Sequence, residues 1–338
     1  DTEIILQLVA RSMKEKLLDK LVDALTQIKG AYSLIILTNK KLIGIKDPYG
    51  IRPLVLGKKN GSPVLASETC ALDMIGAEYI RDINNGEIVV ITNDGIESVK
   101  PFKKVKERPC IFERIYFASP DSFINGKTVY TYRKALGEQL AIENNIDADV
   151  VVPIPDSGVS AAIGFSQKSK IPFELGIIRS HYVGRTFIEP TQNIRQFGVK
   201  LKHSVNRSCI KNKKVVLIDD SIVRGTTANK IVSMVFEAGA KEVHLGISCP
   251  PIKFPDYYGI DTPNYNELIA SNNDILSMTK IVGATSLFFL SLTGTYKAMG
   301  YNERDQINPQ FSDHCFTGDY PIDIKELLKS EQNDEKRK

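Results

Sequence analysis

Apolar residues recur at helical spacing from the start of the chain. Ile4, Ile5, Leu8 and Val9 continue through Leu17, Leu18, Leu21, Val22, Leu25 and Ile28. Residues three and four apart share a helix face, so the run predicts an amphipathic helix that Gly30 ends. Asp1, of a type that caps helix N-termini, stands just before it. Short strands follow. Residues 32–37 turn at Asn39-Lys40 into 42–45, 53–56 turn at Asn60-Gly61 into 64–66, and 87–91 turn at Asn93-Asp94-Gly95 into 96–99. Asn-Gly and Asp-Gly tolerate the positive φ of tight hairpins, so these strands pair antiparallel.

A basic, proline-bounded stretch at 101–109 (Lys103, Lys104, Lys106, Arg108) breaks the pattern. It predicts a boundary, with one domain at 1–108 and another at 109–320; a solvated loop inside one domain is the alternative. Beyond it, helix 129–146 precedes a buried strand 150–154, a turn at Pro155-Asp156-Ser157-Gly158 and a helix through Phe165. Strands at 173–178, 215–218 and 243–247, a helix at 227–238 ended by Gly239, and an apolar core strand within 284–292 complete the series. Strands alternating with helices predict an α/β domain, its parallel sheet flanked by helices, with ligands at the carboxyl ends of the strands. The tail 321–338 is polar.

Composition narrows the function only a little. The chain has 338 residues, 42% hydrophobic and 25% charged, with a net charge of +4. That charge is too mild to point to nucleic acid, and no apolar run reaches the ~20 residues of a membrane span. Five scattered cysteines predict a reducing, cytoplasmic setting, and the four histidines lack metal-ligand spacing.

The strongest chemical signal is Val215-Val216-Leu217-Ile218-Asp219-Asp220-Ser221-Ile222-Val223-Arg224-Gly225-Thr226-Thr227. A buried strand delivers two carboxylates, and a small hydroxyl-rich loop then opens a helix. Free N–H groups at a helix N-terminus cradle phosphate. Carboxylates beside such a cradle suit sugar hydroxyls or a hydrated cation. Asp-Asp alone also fits an acidic helix start, and Asp156-Ser157-Gly158 alone also fits a plain turn and cap.

The run closely resembles the phosphoribosyl pyrophosphate motif of type I phosphoribosyltransferases. Nearly the whole chain is similar to the amidophosphoribosyltransferase family. The resemblance runs through Gly30-Ala31-Tyr32, Asp47-Pro48-Tyr49-Gly50-Ile51-Arg52-Pro53-Leu54 and Ala66-Ser67-Glu68-Thr69-Cys70-Ala71. It continues at Ile115-Tyr116-Phe117-Ala118-Ser119-Pro120-Asp121-Ser122, Pro153-Ile154-Pro155-Asp156-Ser157, Tyr182-Val183-Gly184-Arg185-Thr186-Phe187-Ile188 and Tyr258-Gly259-Ile260-Asp261. It implies the later part of an N-terminal-nucleophile (type 2) glutaminase domain followed by a type I phosphoribosyltransferase domain. The implied reaction is the first step of purine synthesis: ammonia, taken from glutamine in the intact enzyme, displaces pyrophosphate from phosphoribosyl pyrophosphate.

By the same resemblance Asp219 and Asp220 hold the ribose hydroxyls and, with Ser157, a Mg2+ site. Ser221, Ile222, Val223, Arg224, Gly225, Thr226 and Thr227 hold the 5-phosphate, and Pro155, Asp156 and Ser157 form the pyrophosphate loop. Residues 179–192 resemble a loop that closes over substrate, where Arg179, Tyr182 and Arg185 join Arg224 in catalysis; His181 departs from a common arginine. Asp1 resembles the end of the glutamine site. The glutaminase nucleophile of the family, a mature N-terminal cysteine, has no match, so a fragment or an incompletely sequenced bifunctional enzyme is expected. Some relatives bind an iron–sulfur cluster through four cysteines. Cys110 and Cys315 match two of them, but Asp256 and Ser312 stand at the others, so no cluster is expected. The family implies purine nucleotide effectors and dimers or tetramers. Two rivals remain on the same fold: a base-salvage phosphoribosyltransferase, and a non-catalytic nucleotide-sensing regulator.

Overall fold

The computed structural model describes residues 2–180, 203–260 and 264–324. In the first part, helices α1 (Thr2–Arg11) and α2 (Leu17–Thr26) lie on an antiparallel sheet. Its strands β1 (Ser33–Leu37), β2 (Leu42–Lys46), β6 (Ile88–Thr92) and β7 (Gly95–Val99) run in that order. A second antiparallel sheet is ordered β4-β3-β5, from β3 (Val55–Lys59), β4 (Ser62–Ala66) and β5 (Glu78–Asp82). Helix α3 (Thr69–Met74) packs Leu72 against Val55 and Ala77. The layers explain the unbroken apolar run Ile88-Val89-Val90-Ile91. Ile88 and Val90 meet Leu21, Leu25, Ile43 and Ile45 beneath the helices, whereas Val89 and Ile91 meet Leu54, Leu56 and Ile83 of the second sheet. A strand buried on both faces needs apolar residues at every position.

Two expectations change here. The periodic run from Ile4 to Ile28 is two helices, not one. Ser12 ends α1, and its hydroxyl donates to Asp23 Oδ2 of α2 at 2.6 Å. The period persists because Ile5 and Val9 join Leu17, Leu18 and Val22 against one core. Strand β5 was not anticipated: it is mostly exposed and is held by backbone pairing to β3, so no alternation marks it. The Asn60-Gly61 hairpin forms as expected, with φ of 49° and 86°.

The second part has one large core around a parallel sheet, β10 (Val150–Pro153), β13 (Lys214–Asp219), β14 (Glu242–Ile247) and β15 (Ser286–Phe289). A small hairpin of β8 (Phe123–Ile124) and β9 (Lys127–Thr128) leads into α4 (Val129–Glu143). Flanking helices α5 (Val159–Ser169), α6 (Thr226–Glu237), α7 (Ile275–Val282) and α8 (Leu292–Ala298) follow the strands. Helices α4 and α5 approach so closely that a Cβ on Gly137 would lie 1.8 Å from the Ala161 carbonyl oxygen, and one on Gly164 2.0 Å from that of Lys134. The expected strand 173–178 is reduced to a bridge at Phe173, after which β11 (Ile177–Arg179) leaves to pair with β12 (His203–Val205). Within 284–292 the strand stops at Phe289, because the Ser291 hydroxyl accepts from Gly294 N at 2.8 Å and caps α8.

Candidate functional site

Parallel pairing places the two chemical turns side by side. Pro153 is in register with Ile218, so the turn after β10 and the loop after β13 leave the sheet at the same edge. Together they line a cavity of about 530 Å3. Asp219 ends β13, and Asp220 is buried just beyond it. Asp220 N donates to Asp219 Oδ1 at 2.9 Å, and the Ser221 hydroxyl to Asp220 Oδ2 at 2.6 Å. Burial, and then the Asp220 charge, push the Asp219 carboxyl well above the usual range, while a hydrogen bond from Ser157 opposes the shift. Two desolvated carboxyls in contact hold a proton, a cation or a diol more readily than two bare charges.

Gly225 precedes α6 at φ +79°, a left-handed conformation open to glycine, and a Cβ there would lie 2.8 Å from Ile269 Cδ1. The turn brings Ser221, Ile222, Val223, Arg224, Thr226 and Thr227 to the cavity at the start of α6. Pro155 and Ser157 line it from the β10 side, and the Pro155–Asp156 peptide is cis. Asp156 pairs with Arg179 at the end of β11. Arg224 is bound to Glu267 at 2.6 Å, at the rim. Tyr182 and Arg185, with His181, lie outside the described residues, as does Asp1.

The oxygen-only set Asp219, Asp220 and Ser157 fits Mg2+, which takes one or two carboxylates and leaves its other positions to water and substrate phosphate. Among the described residues no group of three or more His, Cys, Asp or Glu is placed to hold a metal ion.

Sequence reasoning missed three parts of this cavity. His203 is buried and lines it opposite Arg179 in the β11–β12 register, and nothing in its sequence context marks it. Phe117 lines it from a π-helical turn, Glu113–Phe117, which a sequence pattern does not reveal, and Phe112 lines it from just before that turn. Asp256 and Cys315 close its far side.

The four positions matched to an iron–sulfur cluster do come together, with other chemistry. Cys110 and Ser312 form a β-bridge, and His314 links the Ser312 hydroxyl (2.8 Å, at Nδ1) to Asp256 Oδ2 (2.7 Å, at Nε2). Burial pushes the Cys110 thiol up to about 12, and that of Cys315 well above its usual value. Two protonated thiols beside an engaged carboxylate and hydroxyl do not fit a cubane cluster, which needs four thiolates.

Comparison with known proteins agrees with this geometry. A glutamine amidotransferase domain family matches residues 1–74, and a phosphoribosyl transferase domain family matches 134–258. The amidophosphoribosyltransferase of Rhizobium etli is 57% identical over 95% of this chain and 66% of its own length. A chloroplastic amidophosphoribosyltransferase of Glycine max is 49% identical over 97% of this chain and 57% of its own. That of Bacillus subtilis is 45% identical over 96% and 68%. The solved glutamine phosphoribosylpyrophosphate amidotransferase of B. subtilis, complexed with ADP and GMP, superposes with a TM-score of 0.88 at 45% identity, over 96% of this chain and 71% of that one. The chain thus spans about 57–66% of the length of the first relatives it matches.

Proposed function

The chain belongs to the amidophosphoribosyltransferase family, and from that premise we propose that it transfers ammonia to phosphoribosyl pyrophosphate, releasing pyrophosphate and 5-phosphoribosylamine. The carrying observation is the shared cavity of two adjacent strand-end loops, one with the buried carboxyl pair Asp219 and Asp220 and a glycine-opened helix start, the other with Pro155 and Ser157. The domain boundary belongs at 108/109 and the polar tail begins at 321. In the whole protein glutamine supplies the ammonia, purine nucleotides regulate the rate, and the chain works as a homo-oligomer. The B. subtilis enzyme was solved as a complex with ADP and GMP, which supports the nucleotide effectors.

The amide N–H groups and hydroxyls from Ser221 to Thr227 hold the 5-phosphate at the start of α6. Asp219 and Asp220 accept hydrogen bonds from the ribose hydroxyls, so the anomeric carbon faces the turn at Pro155-Asp156-Ser157. Bound Mg2+ would neutralise phosphate charge beside Asp219, Asp220 and Ser157. The C1–O bond to pyrophosphate breaks, the C1–N bond forms, and the ammonium nitrogen then gives a proton to solvent. Arg179 leaves Asp156 for the departing pyrophosphate. Tyr182 and Arg185 cover the sugar cation and keep water out. Arg224, already fixed by Glu267, steadies the cradle from its rim.

The test is pyrophosphate release with ammonium chloride, with glutamine and with a panel of purine bases. Release with ammonia is expected. Within 1–108, Cys70 is the one cysteine; its thiol donates to Glu68 Oε2 at 3.9 Å, and we assign it a structural role because the nucleophile of the family is a mature N-terminal cysteine. Equal rates with glutamine, abolished by Cys70→Ala, would overturn that assignment. Turnover with a purine base in place of ammonia would favour the salvage reading.

A further inference from the structure

Arg52 lies in the first part of the chain, within the Asp47–Leu54 motif, and the reaction above leaves it without a role. Its side chain is 16% exposed. Nε and Nη2 both donate to the Tyr258 carbonyl oxygen, at 3.2 and 3.1 Å, and Nη1 donates to Glu113 Oε1 at 2.8 Å. Its guanidinium carbon lies 5.3 Å from the centroid of the Phe117 ring. Each contact ends on an element that lines the transferase cavity: Glu113 and Phe117 on the π-helical turn, Tyr258 in the segment that brings Asp256 and Ile260 to the wall. That wall is braced from behind. Asp256 Oδ1 accepts from Tyr258 N (2.7 Å) and Ile260 N (3.0 Å), and Oδ2 meets His314. The His314 ring sits against those of Tyr258 and Tyr320, with centroids 4.8 and 4.9 Å away.

Resting on the transferase reading above, we propose that Arg52 is a positioning residue of the phosphoribosyl pyrophosphate pocket: from the first domain it holds the wall at residues 256–260 against the π-helical turn, so that the two sides of the cavity keep one spacing. The planar fork suits this task. It points three N–H donors at two acceptors in fixed directions and lays its face near an aromatic ring, whereas a lysine ammonium reaches one acceptor at a time. Removing the guanidinium frees the Tyr258 carbonyl and strands the buried Glu113 carboxylate, so the wall relaxes and the pocket, no longer preorganised, binds substrate less tightly.

The test uses the full chain as Arg52→Lys, Arg52→Met, and the double variant Arg52→Met with Glu113→Gln, which removes the stranded charge and protects the fold. Calorimetry with phosphoribosyl pyrophosphate and Mg2+, amide hydrogen exchange at Tyr258 and Ile260, and ammonia-dependent kinetics are read together. In variants that melt like the wild type, we expect affinity and KM for phosphoribosyl pyrophosphate to weaken about tenfold, with kcat within about twofold. The two amides should exchange at least about tenfold faster while β13 stays protected, with Arg52→Lys intermediate. Wild-type affinity and exchange in a well-folded Arg52→Met or double variant would overturn the proposal. Wild-type protein that releases no pyrophosphate with ammonia would sink the transferase reading instead, and the exchange and binding results would still judge the wall.

Discussion

Glu87, just before β6, and Asp219, the last residue of β13 at the strand-end cavity, are both acids flanking an apolar strand, and their surroundings treat them in opposite ways. Glu87 is fully buried, yet it receives two bonds from Arg81 (3.0 and 2.7 Å), one from Ser98 (2.6 Å) and two from Asn84 (2.6 and 2.7 Å). Burial alone would raise its carboxyl, but these donors outweigh burial and bring it down to about 2. Asp219 has the like charge of Asp220 beside it, and burial and that charge together drive it up. A carboxylate that serves the fold is neutralised within the fold. One that is left to a neighbouring acid inside a cavity is completed by what the cavity binds.

The largest break of this contrast comes from Asp219→Asn and Asp220→Asn. Each should lower pyrophosphate release with ammonia by about 10²-fold or more and leave the melting midpoint unchanged or higher. The folded carboxyl of Asp219 is raised, so its contribution is present below the ordinary carboxyl range and is lost as pH rises. At neutral pH, removing it relieves the fold. Near-normal rates at saturating magnesium would remove Asp219 and Asp220 from the site.

Glu87→Gln reverses both signs. The Glu87 carboxyl is depressed, so its stabilisation is full above the unfolded value and fades as pH falls toward 2. The variant should lose on the order of 2–3 kcal/mol at pH 7 and show a flatter acid limb in thermal unfolding, while soluble protein keeps its ammonia-dependent rate. A variant whose midpoint matches the wild type at every pH from 3 to 7 would contradict the contrast.

A smaller effect is expected of Gly225→Ala. The left-handed φ and the 2.8 Å approach to Ile269 displace the start of α6, and strain of about 1–2 kcal/mol should raise KM for phosphoribosyl pyrophosphate about tenfold. Equal KM in steady-state kinetics would show that the cradle tolerates a side chain. The smallest effect is expected from anaerobic dialysis against an iron chelator. The Ser312–His314–Asp256 contacts need no metal, so the melting midpoint and colour should stay the same; a brown protein that bleaches and loses stability would reverse this reading.

Much of the architecture was legible along the chain. The change from Asn-Gly hairpins to alternating strands and helices marked an antiparallel part and a parallel part, because turn chemistry and side-chain period are local. The run from Val215 to Thr227 announced its cavity for the same reason: a buried strand, acids at its end and a glycine before a helix are consecutive residues. The break at Ser12 was hidden, since two helices on one core keep a continuous period. The edge strand Glu78–Asp82 was hidden too, since its backbone, not its side chains, holds it. Only the tertiary structure decided that His203 reaches the cavity at the ends of β10 and β13, that Arg52 grips Tyr258 206 residues away, and that Ser312, His314 and Asp256 join in one buried chain. Those contacts depend on parallel register and on packing between distant segments, which no short window of sequence encodes.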